Sequence, residues 1–135
     1  MALTISASWG ETIDKISILE IKSARISDPN KLVNIKRELE ALNAIVAEAG
    51  GLSTEAAIQA AALAMVNAEL WDIENSIRHY EKNGDFGADF IALARSVYQT
   101  NDRRAALKRE INLMMESSLI EEKSYSLPTE EKVIK

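Results

Sequence analysis

Residues 53–84, STEAAIQAAALAMVNAELWDIENSIRHYEKNG, decide the fold. Leu63, Val66, Leu70, Ile73 and Ile77 recur at three- and four-residue spacing, which at about 100° per residue draws one apolar seam along a helix. Ser53 or Thr54 caps its start and Asn83–Gly84 stops it, so a helix ending near Lys82 is expected. Beside the seam, at seven-residue spacing, stand Asn67, Glu74 and Glu81. Polar groups on an apolar face must find partners or strongly destabilise the fold. They mark either a network that fixes helix register or a ligand site.

Working outward, Asp85 can cap a second long helix whose pattern persists to about Ser117. Here Asn101 and Lys108 lie beside Phe90, Val97, Leu107 and Ile111. Thr100, Asn101 and Asp102 are cap-forming residues and mark a possible break, although the apolar rows run on across them. Upstream, Ser8 and Glu11 make the S-x-x-E capping-box pattern of a first helix reaching about Ile26. Asp28 and Pro29 start another, because proline at the first helical position loses no needed hydrogen bond. It carries Leu32, Ile35, Leu39, Leu42 and Val46 to about Ala49 and ends at Gly50–Gly51. Residues 2–7 alternate like a strand and are expected to pair with residues 118–126. The segment 127–135 reads as a flexible tail, leaving 1–126 as a single helical domain.

The fold class is therefore all-α: an up-down antiparallel bundle of two long and two shorter helices, with a short terminal strand pair. Each long helix should span about 45 Å, which the shorter pair cannot cover. Uncovered apolar surface favours a homo-oligomer, most simply a two-fold homodimer.

Bulk properties narrow the function. A chain of 135 residues is one domain by default. It has no cysteine, which excludes disulfide scaffolds, thiolate metal sites and thiol nucleophiles. No apolar run approaches the roughly 20 residues of a membrane span, and the N-terminus lacks a signal peptide's basic region. A cytoplasmic protein without a membrane partner is expected. The net charge of −5 and the 5% aromatic content argue against a nucleic-acid partner, which needs a basic face or stacking platforms. One histidine, His79, leaves little for histidine-based chemistry; neither a metal nor a cofactor is expected.

The candidate site follows from the wheels. Asn67 and Glu74 lie between the Leu63–Leu70–Ile77 row and the Ala64–Trp71 row, and Asn101 and Lys108 are placed likewise on the last helix. An antiparallel hairpin turning at Gly84 sets Asn67 roughly opposite Asn101. Glu20 projects from the first helix among Ile13, Ile16 and Ala24. Glu20, Asn67, Glu74, Asn101 and Lys108 are thus expected to converge, with Tyr98 nearby, as ligand-binding candidates. The competing reading is a hydrogen-bonded network that fixes register and oligomer state.

Two enzyme readings stand beside these. Glu11–Asp14 and Glu69–Asp72 have the i, i+3 spacing by which all-α, magnesium-dependent nucleotide pyrophosphohydrolases present carboxylates to a cation. Glu69 and Asp72, however, lie off the apolar seam, and no E-x-x-E occurs. The helix Ile13–Arg25 resembles the first helix of helical chorismate mutases, which would make Lys15, Lys22, Arg25, Arg78 and Lys108 a dicarboxylate clamp; the arginine spacing differs by two residues. The run Arg103, Arg104, Lys108, Arg109 reads as a solvated helix face, Lys108 excepted.

Longer blocks carry a broader likeness. GETIDKISILEIK at 10–22, LWDIENSIR at 70–78 and DFGADFIALARSVYQTNDRRAALKREIN at 85–112, with EEKSY at 121–125, resemble a bacterial domain-of-unknown-function family, number 6165. The resemblance covers nearly the whole chain and implies a small helical protein, but no catalytic residues. The leading expectation is a non-catalytic binding or assembly module with a polar cluster in its core, taking a protein or small-molecule partner. The alternative is a small-molecule enzyme built on that cluster.

Overall fold

The computed structural model describes residues 1–117. Four helices follow in order: α1 (Trp9–Arg25), α2 (Pro29–Glu48), α3 (Thr54–Lys82) and α4 (Ala88–Met114). Among the described residues there is no strand: residues 2–7 are exposed and irregular. Their expected partner, 118–126, lies outside the described residues, as does 127–135.

The helix starts are made by the expected side chains. Ser8 accepts from the Glu11 backbone N–H at 3.1 Å, Asp28 from that of Asn30 at 2.9 Å, and Ser53 from that of Ala56 at 3.1 Å. The fourth start differs. Asp85 accepts from the Gly87 N–H at 3.2 Å, and Gly87 itself is the cap, with no side-chain hydrogen bond into α4. The chain needs that extra turn because Gly84, at φ 65°, reverses it first. Thr100–Asn101–Asp102 does not interrupt α4. Thr100 is buried in the ridge instead of capping a break.

Packing is layered. α3 and α4 form the long antiparallel hairpin, α1 lies in the groove between them, and the backbone of α2 approaches α1 alone. α1 runs against α4 but in the same direction as α3. The pairs Gly10–Asn112 and Asp14–Arg104 step in opposite senses, whereas Asp14–Asn67 and Arg25–Asp72 step together. The apolar core sits at one end: Ile13, Ile16, Leu63 and Ile111 are buried, ringed by Trp9, Leu39, Leu42, Val46 and Leu107 among others. At 1.5 Å per residue the 17-residue α1 is about 18 Å shorter than the 29-residue α3. The far part of the hairpin therefore goes uncovered, and between Asn67 and Thr100 no residue is buried.

Gly10 sets the closeness of α1 to α4. It is buried, and a methyl group there would overlap the Lys108 carbonyl oxygen, which belongs to the backbone and cannot swing aside. Its N–H, one of the donors a helix start leaves without an internal partner, donates to Asn112 Oδ1 at 2.6 Å. Gly10→Ala should thus cost about 1–3 kcal/mol through overpacking. A melting temperature lower by roughly 5–10 °C is expected in a thermal denaturation scan. Unchanged melting would mean that α1 does not sit this close to α4.

Candidate functional site

Two polar rows face each other across α1 and α4. On α1, Gly10, Asp14 and Ser17 share one side of the helix; on α4, Thr100, Arg104, Lys108 and Asn112 form an i, i+4 ridge. α3 adds Asn67. Asp14, with 1% of its surface exposed, is the focus. Its Oδ1 accepts from Arg104 Nε at 2.9 Å and from Asn67 Nδ2 at 2.9 Å, and its Oδ2 accepts from an Arg104 Nη at 2.5 Å. Asn67 Nδ2 also donates to Ser17 Oγ at 2.6 Å, and that hydroxyl donates to the Asp14 carbonyl at 2.8 Å. The arginine is bidentate, the geometry that best offsets desolvation of a buried carboxylate. Every buried side-chain nitrogen and oxygen among the described residues has a partner.

The expected candidates fare differently. Asn67 is buried in this network. Lys108 is turned inward as expected, and its Nζ donates to Glu11 Oε2 at 2.7 Å. Asn101 is half-buried, whereas Glu20, Glu74 and Tyr98 are exposed. Glu20 fails to converge because α1 is covered on two sides, by the hairpin and by α2, and Glu20 falls on an open edge between them. Glu74 lies beyond the sealed part, where the gap between α1 and α3 widens into a groove of about 380 Å³. Ile18, Ile21, Leu70 and Trp71 line its apolar part; Glu74, Asn75 and Arg78 edge it, and Asn67 and Arg104 reach it from the cluster.

Ser17 and Asn112 stand in none of the sequence readings, and Asp14 and Arg104 stand there only in other roles, Asp14 as a cation ligand beside Glu11 and Arg104 in a solvated run of bases. A signal existed. The i, i+4 row Thr100–Arg104–Lys108–Asn112 is entirely polar yet flanks Leu107 and Ile111, so it has to meet another helix. The arginine run hid it, since Arg103 and Arg109 are indeed exposed. The carboxylates of the i, i+3 pairs are each taken by a base: Glu11 by Lys108, Asp14 by Arg104, Glu69 by Arg103 and Asp72 by Arg25. Among the described residues no group of three or more Asp, Glu or His side chains is placed to hold a metal ion. No described helix is long and apolar enough to cross a membrane.

The two ends of the central pair are unequally buried, which yields an asymmetric expectation. Arg104 has 29% of its side chain exposed and can turn its head to water if Asp14 is lost. Asp14 cannot follow suit. Arg104→Ala should cost about 3–5 kcal/mol in urea unfolding. Asp14→Ala should cost less, about 1–3 kcal/mol. Equal losses, or the reverse order, would contradict this burial.

The sequence likeness is settled by comparison with known families: the chain belongs to the family of unknown function DUF6165, whose model matches residues 1–133. No curated protein and no solved structure matches it.

Proposed function

We propose that the chain is a non-catalytic assembly module whose long hairpin binds another protein surface, in the first place a second copy of itself. One observation carries this reading: no residue between Asn67 and Thr100 is buried, although that stretch holds Leu70, Trp71, Ile73, Ile77, Phe90 and Val97. Apolar surface is worth about 25 cal/mol per Å² when removed from water, so a seam this long left half-covered favours association. The polar cluster supports the same view. Its members are used up on one another, and among the described residues no unpartnered buried side chain stands ready for acid–base or nucleophilic work.

A second reading rests on the groove beside Trp71. An apolar wall with Glu74, Asn75 and Arg78 at its edge suits a small anionic or amphipathic molecule. It is the form in which the enzyme alternative survives, whether as a pyrophosphohydrolase-like or a chorismate-mutase-like activity.

Two measurements separate the readings. In sedimentation equilibrium from about 1 to 100 µM the assembly module forms a dimer, and its melting temperature rises with protein concentration. In a thermal-shift screen with Mg²⁺, nucleotides, sugar nucleotides and dicarboxylates it does not respond. A true ligand at a hundred times its dissociation constant adds about 2.7 kcal/mol, roughly 10 °C here. A monomer throughout, combined with such a shift, would overturn the assembly reading in favour of the groove.

A further inference from the structure

α1 covers only one side of the α3–α4 hairpin. The opposite side is lined by α3 and α4 residues alone: Ala62, Met65, Glu69, Arg103, Ala106 and Leu107 border a shallow groove of about 400 Å³. Met65 lies about 200° round α3 from Asn67, and Ala106 about 200° round α4 from Arg104, so this face points away from α1. Among the described residues beyond the N-terminal arm, Met65 at 70% and Ile58 at 64% are the most exposed large apolar side chains, and their seven-residue spacing puts both on this face. No described element covers it.

The charges on this face carry the inference. Arg103 on α4 donates to Glu69 on α3, so the two stand at one height on adjacent helices. Both remain about half exposed. We infer that a second copy of the chain packs on this face about a two-fold axis parallel to the hairpin, closing Glu69 and Arg103 of both copies into a ring of alternating charge. Such an axis sets α3 of one copy over α4 of the other. Each Glu69 then meets the other copy's Arg103, and Met65 enters the groove beside Ala106 and Leu107. An axis perpendicular to the helices would set Glu69 against Glu69, which like-charge repulsion disfavours. The area suits the partner: a face about 40 Å long and two helices, about 20 Å, wide offers roughly 800 Å² per copy. A stable specific interface needs about that much from each side. The α3 and α4 helices of both copies would then form a central four-helix layer, with α1 and α2 outermost.

This inference rests on the assembly reading, and charge swapping tests it separately. E69R and R103E each make the ring single-signed, so each variant alone should dimerise at least roughly a hundredfold more weakly than the wild type. An equimolar mixture of the two should form a heterodimer, because opposite charges then face each other only between unlike copies. The pairing within one chain cannot produce that result. The double variant E69R/R103E should regain the homodimer. Both side chains are exposed, so circular dichroism and melting of the single variants should show intact helices. Single variants that dimerise like the wild type, or a mixture that stays monomeric, would overturn this interface while leaving the assembly reading in place. A wild type monomeric at about 100 µM would overturn this interface and, with it, the self-association on which it rests.

Discussion

The carboxylate of Asp14 has been withdrawn from water and must be satisfied from within. It is satisfied from two helices at once, by Arg104 of α4 and Asn67 of α3. Sliding α1 by one residue would move the carboxylate about 1.5 Å and rotate it about 100°, breaking every bond it accepts. The cluster therefore sets the register of three helices together. Gly10 and Asn112 make a second fixed point nearer the start of α1. Two points hold a helix in both translation and rotation. Apolar contacts alone specify register less sharply, since Leu and Ile side chains tolerate repacking.

That arrangement also explains the uneven burial. α1 is short, is pinned at the end where Ile13, Ile16, Leu63 and Ile111 meet, and leaves the rest of the hairpin bare. α2 does not help, because it lies on the outside of α1. The protein thus has a firm end and an uncovered end. A groove opens between them at Trp71, on the side of the hairpin that α1 occupies. The back of the hairpin carries the exposed Met65 and the Glu69–Arg103 pair. The bare back face and the sealing of the polar cluster are two consequences of one layered design.

Much of this was legible in the sequence. The four helices and most of their ends follow from Ser8, Asp28–Pro29, Ser53, Gly50–Gly51, Asn83–Gly84 and the apolar spacing, because capping and periodicity are local properties. Asn67 could be singled out because it interrupts an apolar seam. Asp14 could not. A carboxylate in the second turn of a helix usually faces solvent, and only the tertiary placement of α1 between two layers turns it inward. Arg104 was lost in a run of bases for the same reason: its neighbours Arg103 and Arg109 are exposed, and one-dimensional charge density does not tell them apart. Glu20 and Glu74 were expected to converge on the assumption that each helix buries a single stripe over its whole length. α1 instead buries two stripes, and α3 is buried only as far as α1 reaches.

The most direct test is a double-mutant cycle on Asp14 and Arg104, comparing Asp14→Ala, Arg104→Ala and the double variant by urea unfolding. If the pair is the pin that docks α1 onto the hairpin, the double variant should lose far less than the sum of the single losses, giving a coupling of about 2–3 kcal/mol. Losses that add to within about 0.5 kcal/mol would show two independent sites, and the proposed register lock would be wrong.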